Sequence, residues 1–273
     1  MVRRGRAPPR GGCGLGLLAA ALAWIPEESR AGAWTLAENE AQVIATSTFT
    51  SGDRLFDHKG RLVPVAEYRK FELSAYGQYG LTDWATVLVA PSLQHVSVAR
   101  PYGGDYLGPG YSDFGVRLRL ARSETTVLSL QATASIAGAS NDRNPAEIGN
   151  TDPEADFRML IGKSLYIGAW PAFLDMQAAY RVRAGPPPDE YRLDITFGVR
   201  PAAEWLVMAQ SFNVVSTGSG AGIFRDTRYH KLQGSVVWEF SPGWAVQVGA
   251  LATVAGRNAL RERGLVAGLW RWF

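Results

Sequence analysis

The sequence has almost no cysteine, very little histidine and no long apolar run outside its N-terminus. Cys13 is the only cysteine among the 273 residues. The three histidines, His58, His95 and His230, are too far apart in the sequence for a recognisable metal-ligand spacing. We therefore expect a fold without disulfides, with no bound metal ion and no cofactor.

The first 33 residues have the layout of a secretory signal peptide. A basic start, MVRRGRAPPR, precedes the apolar run GCGLGLLAAALAWI, and the small-residue pattern AGA ends at Ala33. The apolar run is shorter than the ~20 residues that a membrane-spanning helix needs, which argues against a membrane anchor. We predict a signal peptide over residues 1–33 and a mature domain over 34–273. Because Cys13 lies in the signal peptide, the mature chain would have no cysteine, as suits an oxidising compartment.

The mature chain has no excess of either charge. The signal peptide holds five arginines and two glutamates of the 28 basic and 25 acidic residues, which leaves 23 of each. The isoelectric point near 9.1 therefore comes from the signal peptide. A nucleic-acid-binding protein would keep a basic surface after processing, so we expect no nucleic-acid partner.

The mature sequence shows no clear helical periodicity, whereas apolar and polar residues alternate with period two along its whole length. Examples are DFGVRLRLA, EYRLDITFGVR and YHKLQGSVVWEF. In the first, Phe114 and Leu118 share one face, and Arg117 and Arg119 share the other. Twelve such segments occur, most of about 10–14 residues, against a usual strand length of ~5–6. Their length suits tilted strands that cross a membrane, which need ~9–11 residues.

The connections between these twelve segments alternate between long and short. The short ones are YGLTD, RSET, YIGAW, RPAAE and SPGW, and the longest are SGDRLFDHKGRLVPVA, RPYGGDYLGPGY, GASNDRNPAEIGNTDPEA and STGSGAGIFRD. Outer-membrane barrels have short periplasmic turns and longer extracellular loops, whereas a β-sandwich has no reason to keep this order. We therefore predict an all-β, 12-stranded antiparallel transmembrane β-barrel, monomeric and integral to the outer membrane of a Gram-negative bacterium, in contact with outer-membrane lipid.

Aromatic residues occur at positions that a membrane barrel requires. A tryptophan follows four of the five short turns, which predicts a periplasmic aromatic girdle of Trp84, Trp170, Trp205 and Trp244. The chain ends on Phe273, and a terminal aromatic residue is the usual end of the signal that the barrel-assembly machinery reads. The last strand should then pair with the first and close the barrel. The sequence leaves open which face Trp270 and Trp272 occupy.

Several segments resemble one family of outer-membrane proteins. They are YGQYGLTDWATVLVAPSL, YSDFGVRLRL, FRMLIGKSLYIGAWPAFLDMQAAYRVR and VAGRNALRERGLVAGLWRWF, in that order over most of residues 67–273. They are similar to the proteobacterial outer-membrane family named for the MetA pathway of phenol degradation. The resemblance implies a channel or transporter for small solutes, including aromatic ones, and it implies no catalytic residue.

In a barrel of this kind, the polar face of each strand lines the lumen. Asp156, Asp194 and Glu239 have basic neighbours in sequence, which predicts ion pairs on the wall. Arg117, Arg119, Arg181 and Arg183 are less obviously balanced, and we expect a positively charged patch that mildly favours anions, aromatic carboxylates included. The candidate lumen-lining residues are Arg117, Arg119, Asp156, Arg158, Arg181, Arg183, Arg192, Asp194, Lys231 and Glu239.

Two alternative functions remain open from the sequence. His95 and Ser97 lie two residues apart on the predicted lipid-facing side of one strand. They resemble the His-x-Ser pair of outer-membrane phospholipase A, but no asparagine follows at a comparable spacing to orient the histidine. The other alternative is a structural barrel without transport. If the lumen is plugged, we expect the plug to be a loop, and the longest is GASNDRNPAEIGNTDPEA.

Overall fold

The computed structural model describes residues 32–141, 143–147 and 151–273. All but two residues of the predicted signal peptide lie outside these ranges. The described residues form fifteen strands and no helix that could span a membrane. The strands are β1 (Ala41–Phe56), β2 (Leu62–Thr82), β3 (Ala85–Ala90), β4 (Ser92–Val98), β5 (Gly104–Pro109), β6 (Ser112–Arg122), β7 (Thr126–Ile136), β8 (Glu154–Ile167), β9 (Trp170–Arg183), β10 (Glu190–Ala202), β11 (Trp205–Ser216), β12 (Arg228–Ser241), β13 (Trp244–Arg257), β14 (Ala259–Leu260) and β15 (Arg263–Trp272).

These strands form a closed antiparallel barrel, because β1 pairs with β2 on one side and with β15 on the other. β3 and β4 are two parts of one pass, interrupted at Pro91, which has no N–H to donate. β5 and β6 are likewise two parts of one pass, interrupted at Gly110 and Tyr111. β14 adds only two residues beside the end of β1. The described chain therefore crosses the barrel wall in twelve passes, which confirms the predicted fold.

The two ends of the barrel differ in their connections. Short turns join β2 to β3, β6 to β7, β8 to β9, β10 to β11 and β12 to β13 at one end. The chain enters β1 and leaves β15 at this same end, where the N–H of Phe273 donates to the carbonyl of Ala41 (2.9 Å). We call this the turn end and the opposite one the loop end. In outer-membrane barrels the turn end faces the periplasm.

Side chains alternate between the lumen and the outer face along each pass, as the period-two pattern predicts. On β11, Leu206 and Met208 are buried inside the barrel, whereas Val207 between them is exposed on the outside. Large apolar side chains such as Leu130, Phe157 and Leu265 are exposed in the same way. This exposed apolar surface is what a lipid-facing wall requires.

Replacing Leu130 with arginine is expected to destabilise the barrel by about 2–4 kcal/mol, because a charged side chain at mid-depth in the bilayer loses its hydration. Leu130 is 44% exposed and lies four residues into β7, away from the turn end. Leu120 is also outward-facing but lies two residues from the end of β6, so Leu120→Arg should cost only about 0–1 kcal/mol. Urea unfolding in liposomes measures both values. Equal losses would show that Leu130 does not face the membrane interior.

The predicted long loop after the first strand is shorter than the sequence suggests. β1 continues to Phe56 and β2 begins at Leu62, so the connection is a turn of five residues. The Asp57 carboxylate accepts hydrogen bonds from the backbone N–H groups of Lys59 (2.8 Å) and Arg61 (2.9 Å). These bonds hold the pKa of Asp57 below its usual range, and the Arg61 N–H is the largest cause. Most of the polar residues that the sequence predicts to be a loop therefore belong to the paired ends of β1 and β2.

The predicted loop RPYGGDYLGPGY also contains a strand. β5 pairs with β4, with Ser97 opposite Asp105 and His95 opposite Leu107. β5 has no strand partner on its other side among the described residues. Proline is tolerated on such an edge because the missing N–H points away from the ladder. The sequence therefore does not predict this strand, because glycines and a proline such as Pro109 normally indicate a loop.

Candidate functional site in the barrel lumen

Residues 32–36, which precede β1, lie inside the lumen at the turn end; we call them the N-terminal segment. Ala33 and Leu36 are 0% and 1% exposed, although no strand contains them. The chain then leaves the lumen through Asn39, whose φ of 65° turns it towards β1. Within the described residues, the segment that obstructs the lumen is therefore the N-terminal segment, whereas the sequence suggested the longest loop, of which residues 142 and 148–150 lie outside the described ranges.

Side chains of the wall bind the backbone carbonyl groups of this segment. The Ser129 hydroxyl donates to the carbonyl of Ala33 (2.6 Å). The Arg117 guanidinium donates through Nη1 to the carbonyl of Trp34 (3.0 Å). Because an extended segment in a lumen has no strand partner, its backbone groups need such side-chain partners.

The N–H groups of the segment are bonded in the same way. The N–H of Ala33 donates to Oδ2 of Asp175 on β9 (2.6 Å). The N–H of Leu36 donates to the hydroxyl of Thr86 on β3 (3.0 Å). The segment is thus attached to several sides of the barrel, which fixes its path across the lumen.

The Trp34 side chain narrows the lumen at the turn end. Its ring packs edge-on against Phe173, with the ring centroids 6.1 Å apart. On another side the ring lies against Gly162, where a Cβ would come within 2.6 Å of ring carbons. Trp34 and Ala33 belong to a buried apolar cluster with inward-facing residues from seven strands: Val127, Leu160, Phe173, Leu206, Met208, Val237, Ala245 and Trp270.

The C-terminal tryptophans point into the lumen. Trp270 is 8% exposed and belongs to the apolar cluster, and Trp272 packs against it. The indole N–H of Trp270 donates to Oε1 of Gln247 (3.1 Å), which satisfies its one polar group. Phe273, by contrast, is 68% exposed. The two faces of the last strand therefore differ in their surroundings. Its tryptophans extend the apolar cluster in the lumen, whereas its other face is exposed on the outside of the barrel.

Arg117 links the N-terminal segment to the barrel wall. It is 3% exposed, and Nε and Nη2 both donate to Oε1 of Gln131 (3.0 and 2.9 Å). Nη1 also donates to Oε1 of Gln78 (3.0 Å), and Nη2 donates to the Tyr76 hydroxyl (3.0 Å). All of these hydrogen-bond partners are neutral groups, so none of them forms an ion pair with Arg117.

One side of the lumen carries a network of ion pairs centred on Arg158. Its Nε lies 3.1 Å from Oδ1 of Asp156, and its Nη1 lies 2.7 Å from Oδ2 of Asp194. Nη1 also donates to Oε1 of Gln177 (2.7 Å). β8, β9 and β10 are consecutive in the wall, so inward-facing residues on them meet as cross-strand neighbours.

Arg181 and Arg183 do not form the positively charged patch that the sequence suggested. Both pair with Glu154, which lies 2.6 Å from Arg181 Nη1 and 2.7 Å from Arg183 Nε. Arg183 Nη1 also lies 3.2 Å from Glu190. Glu154 is on β8 and both arginines are on β9, and sequence proximity could not predict this pairing.

The remaining charged candidates have different surroundings. Lys231 pairs with Glu262 (2.5 Å), and Glu239 pairs with Arg200 (2.7 Å). The Nε of Arg192 is buried without a hydrogen-bond partner among the described atoms. Arg119 lies two residues from Arg117 on β6, and no side-chain bond joins it to any part of the chain that the structure describes.

The other side of the lumen is rich in glutamine, and Asp175 is the one acidic side chain among the described residues that line its cavity. A cavity of about 310 Å³ lies next to the N-terminal segment. Two cross-strand bonds connect its amide groups: Gln78 Nε2 donates to Gln42 (2.7 Å), and Gln233 Nε2 donates to Gln210 (2.9 Å). The amide groups lining this cavity, which we call the glutamine cavity, come from Gln42, Gln78, Gln177, Gln210, Gln233 and Gln247.

The sequence candidates did not include several residues that define this site. Asp175 and Glu154 lie on the polar faces of their strands, so alternation alone could have placed them in the lumen. The glutamines alternate in the same way. Trp34 was missed because its segment has no periodicity and directly follows a predicted signal peptide. No group of three or more His, Cys, Asp or Glu side chains among the described residues could hold a metal ion.

The described part of the longest loop packs at the loop end of the barrel. The Asn144 amide donates to the carbonyl of Asp105 on β5 (3.0 Å). The Glu147 carboxylate accepts bonds from the backbone N–H groups of Asn141 (2.9 Å) and Ser140 (3.1 Å). These bonds, led by the one from Asn141, keep the pKa of Glu147 below its usual range although burial acts against them. The loop thus covers the free edge of β5.

On the outside, the structure brings a third residue to His95 and Ser97. His95 Nε2 lies 3.0 Å from Oδ2 of Asp105, and Ser97 is the cross-strand neighbour of Asp105. The sequence pattern could not supply this carboxylate, because the glycines and prolines around Asp105 predict a loop and not a strand. No hydrogen bond joins Ser97 to His95 among the described residues.

The four girdle candidates follow the short turns and are exposed on the outer face, by between 36% and 55%. Trp205 also stacks on Trp238 of the neighbouring strand, with the ring centroids 6.0 Å apart. The guanidinium of Arg271 lies 4.8 Å from the ring centroids of both Trp244 and Phe273. Aromatic rings and a cation together at one level suit a membrane–water interface.

The sequence matches no protein-family model and no curated protein. The fold is similar to that of the COG4313 outer membrane channel from Pseudomonas putida F1, with a TM-score of 0.71 and 15% identity over 88% of this chain and 98% of that one. The KdgM porin has a TM-score of 0.52 with 5% identity, over 84% of this chain and 98% of that one. The NanC porin has a TM-score of 0.51 with 7% identity, over 83% and 98%. The likeness shows an outer-membrane barrel fold.

Proposed function

We propose that this protein is a monomeric channel of the bacterial outer membrane, and that small solutes cross the barrel lumen past the N-terminal segment. The observation that carries the proposal is a polar cavity of about 310 Å³ inside a closed barrel with an apolar exterior. A barrel of eight strands is filled by its own side chains, and one of sixteen is open, so twelve strands leave room for a narrow path. The outer-membrane channel and porins with a similar fold support this proposal.

The chemistry of the glutamine cavity favours uncharged solutes that carry hydroxyl or carbonyl groups. Amide side chains both donate and accept hydrogen bonds, so they suit such groups without requiring a charge. Tyr76 and Trp270 also line the cavity and offer aromatic surface to a ring. We propose small phenolic compounds as the solute class, which agrees with the resemblance to the family named for phenol degradation.

The ion pairing in the lumen predicts weak selectivity between anions and cations. Arg158, Arg181 and Arg183 each contact at least one carboxylate, so the wall presents little net charge to a passing ion. In planar bilayers with a salt gradient, the reversal potential should lie close to zero. A strong anion preference would instead support the positively charged patch suggested by the sequence.

Transport itself is tested by liposome swelling with purified protein. We expect swelling with phenol-sized uncharged solutes and none with trisaccharides, because the path at Trp34 is narrow. The control is a set of liposomes reconstituted with heat-unfolded protein. Absence of both swelling and ion conductance would favour a structural barrel without transport.

Hydrolysis of outer-leaflet lipid is a second candidate function, which the contact between His95 and Asp105 favours. A hydrolase also requires a serine bonded to the histidine, and Ser97 has no such bond here. We therefore expect no release of fatty acid from phospholipid by the purified protein. Release by the wild type that Ser97→Ala abolishes would establish the hydrolase instead.

A further inference from the structure

Asp175 is a buried carboxylate on β9 that faces the lumen. It is 1% exposed, and it accepts hydrogen bonds from the Gln177 amide (2.6 Å) and from the N–H of Ala33 (2.6 Å). Among the described residues, no lysine or arginine forms an ion pair with it. A buried charge is costly unless it is paired, so this site favours a positive charge nearby.

Gly32 lies directly against this carboxylate. A Cβ built on Gly32 would overlap the carboxyl group of Asp175, and the φ of Gly32 is +73°. The backbone nitrogen of Gly32 is one bond of about 1.46 Å from the α-carbon. Rotation about the bond between the α-carbon and the carbonyl carbon would turn this nitrogen towards the carboxylate.

The sequence offers two processing sites here. Cleavage after Ala33, with Ala31 two residues before it, is the site predicted above. Cleavage after Ala31, with Ser29 two residues before it, also satisfies the small-residue pattern. The first would remove Ala33, which is 0% exposed and holds hydrogen bonds to both Asp175 and Ser129. Cleavage after Ala31 would keep Ala33 and both of these hydrogen bonds.

We propose that a signal peptidase cleaves the bond between Ala31 and Gly32, and that the α-ammonium group of Gly32 forms a buried ion pair with Asp175. Hydrolysis adds one water: the carbonyl of Ala31 becomes a carboxylate, and the nitrogen of Gly32 becomes a free amine that takes up a proton. Processing thus creates a cation close enough to contact Asp175, which no lysine or arginine among the described residues does. The ion pair would then hold the N-terminal segment in the lumen.

The processing site is tested on the wild-type protein extracted from outer membranes. Intact-mass measurement and N-terminal sequencing separate the two termini, which differ by one glycine and one alanine. We expect a chain that begins at Gly32. A chain that begins at Trp34 would overturn the proposal, whether or not the protein conducts.

The ion pair is tested by acylating the α-amine with an activated ester at neutral pH and measuring the N-terminal peptide by mass spectrometry. The folded wild type should react roughly tenfold more slowly than Asp175→Asn, because breaking a buried pair exposes the amine. The control is Asp194→Asn, which removes a lumen carboxylate that contacts Arg158 and should leave the rate slow. Equal rates in the wild type and in Asp175→Asn would overturn the ion pair.

The ion pair can still be tested if Asp175→Asn fails to fold. The heat-unfolded wild type supplies a second comparison, and its α-amine should also react roughly tenfold faster than that of the folded protein. Equal reactivity in the folded and unfolded states would show that the amine is not protected, which contradicts the proposal. Neither outcome depends on which solute crosses the channel.

Discussion

Deleting residues 32–36 is expected to raise the single-channel conductance severalfold. The N-terminal segment occupies the lumen at the turn end, where Trp34 packs against Phe173 and Gly162. Conductance depends on the narrowest cross-section of a pore, so removing a tryptophan and four further residues widens the limiting section. Planar-bilayer recordings of the wild type and the deletion variant in the same salt measure the change.

The control for this deletion is removal of residues 219–223, which lie in the exposed loop between β11 and β12. That variant should conduct as the wild type does, since the loop does not belong to the buried cluster. Equal conductance in the wild type and in the variant without residues 32–36 would mean that the N-terminal segment does not limit the path.

Replacing Arg117 with methionine is expected to lower the free energy of unfolding by about 2–4 kcal/mol, because hydrogen bonds to a charged group contribute about 1.5–3 kcal/mol each and several are lost together. Arg117 binds Gln131, Gln78, Tyr76 and the carbonyl of Trp34. Methionine keeps much of the length of the side chain but donates no hydrogen bond. The N-terminal segment should also loosen, and the fluorescence of the buried Trp34 should shift to longer wavelength.

Urea unfolding in liposomes and tryptophan emission spectra measure these two effects. Arg119→Met is the matched control, because Arg119 lies two residues away on the same strand and has no side-chain bond to the described residues. It should change stability by less than about 0.5 kcal/mol. A loss of stability as large as that of Arg117→Met would mean that general lumen charge, and not the bonds of Arg117, stabilises the barrel.

Period-two alternation and the order of long and short connections were sufficient to predict the twelve-pass barrel. Both signals are local, and a lipid-facing wall imposes them on every strand. β5 was missed because glycines and Pro109 normally break strands, yet an edge strand tolerates them. The faces of Trp270 and Trp272 could not be chosen either, because alternation does not tell which of two apolar faces meets lipid.

The lumen was only partly predictable. Alternation placed Arg158 and Asp194 on the polar faces of their strands, but their pairing depends on register, which a single sequence does not give. The sequence gives no signal for the N-terminal segment, because its five residues have no periodicity and span the predicted end of the signal peptide. Its position is determined by non-local contacts such as those of Trp34 with Arg117 and Phe173.

Cysteine substitution in the lumen tests the central claim, that solutes cross the interior of this barrel, most directly. The only cysteine, Cys13, lies in the predicted signal peptide, so Gln210→Cys would place a single thiol in the glutamine cavity. Modification with a bulky thiol reagent should then lower the conductance in a single step. Ala209→Cys, its outward-facing neighbour, is modified in detergent before reconstitution and should leave the conductance unchanged. Unchanged conductance after complete modification of Gln210→Cys would contradict a path through the lumen.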